Sequence, residues 1–319
     1  MTSRDFGRRI AAIAVAPLFC LALATSAAAD RLQYGWQKVD GINIFYREGG
    51  SANGPTIVFL HGTPASSIQY ESVMEQVVAA TGAHVIAMDY PSFGYSDAPD
   101  HQTYKYTFDG IAVTVARFLE ARKIERYALF MQDYGVPVGF RLIQDKPQAV
   151  TAIMVQNGVI HLDGFPVAQD PNGEVRRHWQ ERNPEVDRRR TATTAALKFP
   201  TAEAAADSAT LGPDAVLLRM VSEQRPGVIE ARNDLWFDYG SNVARYSQWQ
   251  SLLKSLKVPV LVVWGDRDKF FTTPGAKAYL RDAPLAEVHV LDVGHFATLE
   301  APGQVAGLIA DFVKRHDLH

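Results

Sequence analysis

Asp133 stands in the stretch FMQDYGVPVG, directly after the apolar run Tyr127 to Met131 and two residues before Gly135. A carboxylate at the end of such a run and ahead of a glycine can cap a helix, or it can be presented as a nucleophile. Further along, Asp266 and Asp268 follow the run Val258 to Trp264, and His295 follows the run Glu287 to Leu291. A carboxylate, a second acid and a histidine in that chain order can attack carbon and then activate the water that releases the product. His61-Gly62-Thr63-Pro64, after Thr56 to Leu60, is a fourth such end. Gly62 allows a close turn there and Pro64 fixes the next φ.

These residues need elements to hold them. Thr56 to Leu60, His84 to Met88, Tyr127 to Met131, Thr151 to Val155, Val258 to Trp264 and Glu287 to Leu291 are short apolar runs rich in β-branched residues, and they read as buried strands. Segments such as Ile111 to Arg122 and Val136 to Gln144 carry apolar residues at three and four spacing and predict helices between them. The alternation predicts an α/β fold, a mostly parallel sheet with helices on both faces. Tyr34 to Val39 and Ile42 to Glu48 about Asp40-Gly41 predict an antiparallel hairpin at one edge. From Ile160 to Tyr246 the strand rhythm stops and helical, charged and alanine-rich segments take over, so residues 160–246 are expected as an inserted helical cap. The core is then expected from residues 30–159 and 247–319. Open parallel sheets bind ligands beyond the carboxyl ends of their strands, which is where all four chemical motifs fall.

The first thirty residues differ from the rest. Arg4, Arg8 and Arg9 precede an apolar run from Ile10 to Ala24, and Ala27 and Ala29 form a small-x-small site. Residues 1–29 therefore read as a signal peptide cleaved after Ala29, with an exported, periplasmic or secreted product and no membrane association after cleavage. Cys20 is the single cysteine and lies inside that segment, so the mature chain would have no disulfide, thiol nucleophile or thiolate metal site. The net charge of −3 becomes about −5 once three arginines and one aspartate leave with the signal. No basic stripe remains to neutralise a phosphate backbone, which argues against a nucleic-acid partner. No HExxH or clustered His and carboxylate spacing points to a metal.

HGTP, DYPSFGYSD, QDYG, WGDRD and GHF occur in one order across the mature chain, and with them the sequence resembles the α/β-hydrolase superfamily. The elbow lacks the serine between glycines of the esterase and lipase branches. Asp133 takes that place, with Met131 where the first small residue usually sits, so the resemblance is to the aspartate-nucleophile branch of epoxide hydrolases and haloalkane dehalogenases. That resemblance implies an ester on Asp133, hydrolysed by water that His295 activates, with an acid orienting the histidine. The W-G-x-x-D register makes Asp268 the acid rather than Asp266, and the other acid site of the superfamily carries Gln156-Asn157-Gly158 here. The backbone amides of Thr63 and Tyr134 are implied as the oxyanion hole. No cofactor is implied.

Haloalkane dehalogenases hold halide with a tryptophan after the nucleophile and an asparagine after His-Gly; Tyr134 and Thr63 stand at those places here. Epoxide hydrolases need a proton donor from the cap, for which Tyr239 is the first candidate, with Tyr246, His178 and Trp179 beside it. Packing within the cap is the competing role for Trp179. The nearest arginine after the nucleophile is Arg141, a further helical turn along, which favours an apolar or weakly polar small-molecule substrate. Epoxide hydrolysis is the leading reading and haloalkane or haloacid dehalogenation the second. A non-catalytic binding protein on a hydrolase scaffold is the alternative from another class.

Overall fold

The computed structural model describes residues 31–166, 170, 172–196 and 213–318, so the expected signal segment and its Cys20 lie outside the described residues. Eight strands form one sheet in the order β1-β2-β4-β3-β5-β6-β7-β8. They are β1 Gln33–Val39, β2 Ile42–Gly49, β3 Thr56–Leu60, β4 His84–Met88, β5 Tyr127–Gln132, β6 Val150–Gln156, β7 Val260–Gly265 and β8 Glu287–Leu291. The hairpin β1-β2 is antiparallel and β2 runs antiparallel to β4. From β4 through β8 every pairing is parallel. The α/β-hydrolase expectation, with its edge hairpin, therefore holds. β7 starts two residues later than the apolar run suggested, at Val260, because Pro259 has no N–H for the ladder and supplies only its carbonyl to Ile153.

Strand alternation divides the core into two layers. Val58, Leu60, Leu129, Met131, Ile153, Val155, Val262 and Trp264 face one side. Ile57, Phe59, Ala128, Phe130, Ala152, Met154, Leu261 and Val263 face the other. Helix α1 (Glu71–Thr81) brings Val73 and Val77 to the second layer, and its chain stops where Gly82 turns left-handed at φ 67. Helices α2 (Phe108–Ala121) and α3 (Gly135–Asp145) cover the first layer, with Ile111, Val115 and Phe118 at helical spacing on α2. Thr107 caps α2 by accepting from the Gly110 N–H.

Between β6 and β7 come five described helices: α4 (Glu174–Gln180), α5 (Pro184–Ala196), α6 (Pro213–Glu223), α7 (Val228–Val243) and α8 (Tyr246–Ser255). Polar ties hold α7 to the core, among them Arg232 to the Ser92 carbonyl and Asp234 to His101. The Asp238 carboxylate accepts from the Phe108 N–H at the start of α2, and Arg141 on α3 donates to Asn242 and Ser241. The chain closes with α9 (Thr273–Ala278), α10 (Ala297–Glu300) and α11 (Pro302–Arg315), the last packing Val305, Ile309 and Phe312 against the second layer. No described helix is long and apolar enough to cross a membrane.

Candidate active site

Asp133 sits at the turn between β5 and α3 with φ of 49°, a left-handed conformation that a non-glycine residue adopts only under constraint. The constraints are local. Its N–H donates to the Asn157 carbonyl at 3.2 Å, and its carbonyl accepts from Val136. Gly135 and Gly62 make the approach possible: a Cβ on Gly135 would strike the Leu60 carbonyl, and one on Gly62 would strike the Asp133 side chain. Met131 is accommodated at the position usually held by a small residue because Gly139, two residues past Pro137 in α3, leaves room for its sulfur.

The Asp133 carboxylate is turned away from a helix-capping pose. Its Oδ1 accepts from the Thr63 N–H at 2.7 Å, and the Tyr134 N–H also bonds to the group. Thr63 and Tyr134 thus meet at one carboxylate from two different segments. Burial pushes the Asp133 pKa up to about 6, against the opposing pull of His295 and of the two backbone donors.

His295, itself buried, directs Nδ1 at Asp268 Oδ2, 2.8 Å away. Asp268 is the acid the motif register selected; its Oδ1 accepts from the Phe270 N–H at 2.7 Å and its Oδ2 also accepts from Asn157 at 2.7 Å. Burial opposes a charged imidazole at His295, but the charge and hydrogen bond of Asp268, with the charge of Asp133, outweigh it and raise its pKa above the ordinary value.

Two residues that sequence reasoning left aside complete the arrangement. Gln132 Oε1 accepts from the Gly62 N–H at 3.1 Å, which fixes the orientation of the amide and aims its NH2 at His295 Nε2, 2.7 Å away. Because that amide nitrogen can only donate, His295 Nε2 must accept and Nδ1 must carry the proton toward Asp268. Asn157, at the end of β6, has φ of 40° and links Asp268 to both the N–H and the carbonyl of Gly265. Their position at strand ends beside Asp133 and Asp268 was the available signal.

Above these groups lie aromatic residues of the inserted helices. The Tyr239 and Tyr246 hydroxyls are 3.4 Å apart, and the Asp133 charge bears on both. Burial keeps both phenols protonated far above neutral pH. Trp179 stacks on Tyr239 at 5.0 Å and meets Trp236 edge-on at 5.5 Å, so its indole packs within the cluster that faces Tyr134. His178 is held elsewhere: its Nδ1 accepts from the Asn183 N–H, Nε2 lies 3.5 Å from Asp187, and the ring edges onto Phe237. The next side chain on a short helix points about 100° away, which is why Trp179 and His178 part company. Asp266 is exposed, and Arg141 is consumed by Asp109, Asn242 and Ser241. His61 is a structural residue, accepting from the Tyr90 N–H, stacked on Tyr90, and held neutral by burial with a pKa lowered to about 3.

The chain belongs to the α/β-hydrolase fold family, whose pattern matches residues 55–302. It is 33% identical over 270 residues to an uncharacterised hydrolase of Saccharomyces cerevisiae, covering 82% of this chain and 90% of that one. Over 145 residues it is 28% identical to a haloalkane dehalogenase of Psychrobacter cryohalolentis, 46% of each chain. The epoxide hydrolase CorEH superimposes with a TM-score of 0.72 at 19% identity over 89% of this chain and 99% of that one, a likeness of fold.

Proposed function

We propose that this hydrolase opens epoxides through an ester on Asp133. The observation that carries the reading is the Tyr239 and Tyr246 pair, two buried phenols 3.4 Å apart beside the Asp133 carboxylate. With Oδ1 held by the Thr63 amide and the Tyr134 amide also on the carboxylate, Oδ2 attacks an epoxide carbon. The ring C–O bond breaks and its oxygen takes a proton from a phenol. His295 Nε2 then takes a proton from water, and the hydroxide adds to the ester carbon. The resulting oxyanion stays between the two amides, and collapse releases a diol and the Asp133 carboxylate. The imidazolium returns its proton to the phenolate. Gln132 must swing from His295 Nε2 to admit that water.

Haloalkane or haloacid dehalogenation is the second reading, supported by the dehalogenase relative and by the indole N–H groups of Trp179 and Trp236, which have no hydrogen-bond partner among the described residues. Intact-mass analysis of His295→Gln after incubation with epoxides and haloalkanes separates the two. An adduct with the full epoxide mass supports epoxide opening, and one lighter by hydrogen halide supports dehalogenation. No adduct in a folded variant, on any panel member, would sink the ester mechanism and favour a ligand-binding role.

A further inference from the structure

Helix α7 presents Arg232, Trp236 and Tyr239 at positions i, i+4 and i+7, one stripe along its length. Tyr239 at the end of that stripe lies 5.9 Å, ring to ring, from Tyr134, the residue after the nucleophile. Helix α5 is tied to α7 by the Asn233 amide on Thr191 at 2.9 Å, and the neighbouring Arg190 places its guanidinium over the Trp236 ring at 4.1 Å. Trp179 of α4 closes the group against Trp236 and Tyr239. Phenols, two indoles and the Arg190 guanidinium thus form one chain of contacts leading to Tyr134, and Arg232 stands one turn along the α7 stripe with its guanidinium over the Phe93 ring.

The cluster has an excess of donors. Arg232 is 8% exposed, and while one of its nitrogens donates to the Ser92 carbonyl at 3.0 Å, Nε and Nη1 meet no acceptor among the described residues. Arg190 Nε, Trp179 Nε1 and Trp236 Nε1 are also buried without a partner among the described residues. Guanidinium and indole groups can only donate, so no rearrangement among these four side chains satisfies them. The nearby carboxylates are shared: Glu223 pairs with Arg219 at 3.2 Å, and Asp187 pairs through Oδ2 with Arg182 at 2.7 Å, while its buried Oδ1 has no hydrogen-bond partner among the described residues. Buried polar groups are ordinarily paired, and a buried cation without a counter-charge is costly. The positive charges of Arg190 and Arg232 both reach the Tyr134 hydroxyl, which puts them on the nucleophile's side of the inserted helices.

We propose that Arg190, Arg232 and the indole N–H groups of Trp179 and Trp236 form a subsite for the carboxylate of the substrate, so that the enzyme acts on an organic acid bearing the reactive carbon along its chain. The proposal rests on the ester reading for the fate of that carbon, but the subsite itself is defined by binding. A carboxylate supplies two acceptor oxygens and a negative charge to a donor-only cluster, and guanidinium groups bind it in a fork geometry. It departs from the apolar substrate expected from the sequence, which had only Arg141 to consider near the nucleophile.

The test is calorimetric titration of the wild-type protein with saturated carboxylates from butanoate to decanoate and with the corresponding primary amides. The best carboxylate is expected to bind about tenfold or more tightly than its amide, a preference that falls by about fivefold or more in Arg190→Met and in Arg232→Met. Arg190 is partly exposed, so its variant keeps the test open if Arg232→Met does not fold. Equal binding of acid and amide by the wild-type protein overturns the subsite, as does an acid preference that survives both folded variants. Turnover of matched epoxides ending in carboxylate or amide separates the two proposals. Acid preference without turnover of any epoxide leaves the subsite standing and removes the epoxide chemistry. Turnover of both epoxides at equal kcat/KM leaves the chemistry and removes the subsite.

Discussion

At the residue scale, the reactive set is a balance of charges held out of water. Asp133 is buried with a pKa near 6, so the folded protein binds its proton more tightly than the unfolded chain does, whose carboxyl titrates near 3.8. The stabilisation from protonated Asp133 is fully present below about pH 4 and is lost as pH rises through about 6. Above that, the ionised carboxylate costs the fold about 1 to 3 kcal/mol. Asp133→Asn is therefore expected to melt several degrees higher than the parent at pH 8, with the gain disappearing near pH 4. Melting curves at both pH values check this, and an equal gain at both would refute the burial argument. Gln132 and Asn157 act at the same scale. Gln132 selects the histidine tautomer, and Asn157 holds the acid that the tautomer addresses. Neither role was visible in sequence, because each bond joins residues more than a hundred positions apart.

At the element scale, the turn from β5 to α3 depends on glycines that let backbones touch, and the inserted helices depend on a few polar ties. Asp238 reaches from α7 to the exposed N–H at the start of α2, where the helix dipole also favours a carboxylate. Replacing it with alanine removes that bond and is expected to cost about 1 to 2 kcal/mol, lowering Tm by a few degrees. Thermal unfolding of Asp238→Ala reads this directly; an unchanged Tm would mean that the tie adds nothing. The strands themselves were legible nearly to the residue. Short β-branched runs buried on both faces have few other places to go, and β3 and β4 begin and end where the apolar runs do; β8 does too, although as the edge strand it is only half-buried and Val290 is exposed. Helix α4 was harder to read: its adjacent His178 and Trp179 look equivalent in sequence, yet packing gives one to Asp187 and Asn183 and the other to Tyr239.

For the whole molecule, the two steps of the proposed ester route should carry different pH dependences. Ester formation needs Asp133 ionised, so kcat/KM is expected to rise with pH through about 6. Ester hydrolysis needs neutral His295, whose pKa Asp268 raises despite burial, with Glu300 adding to the same direction, while the Asp133 charge that also raises it in the free protein is absent from the ester. Its rate is therefore expected to rise through a higher pH, and the ester should accumulate in the window between. Rapid-quench mass analysis across pH tests this, and a single limb shared by both steps would contradict the assignment. The sequence by itself determined the strand order along the chain, the parallel class of the sheet, and the strand-end places of Asp133, Asp268 and His295, because periodicity and motif spacing are local properties. Tertiary structure alone decided which tautomer His295 holds, that Gln132 and Asn157 join the site, and that Arg190 comes to lie over Trp236 while Arg232 stands on the same helix stripe. Those outcomes depend on how separate segments pack and on which buried polar groups find partners, and neither is encoded in the spacing of any one segment.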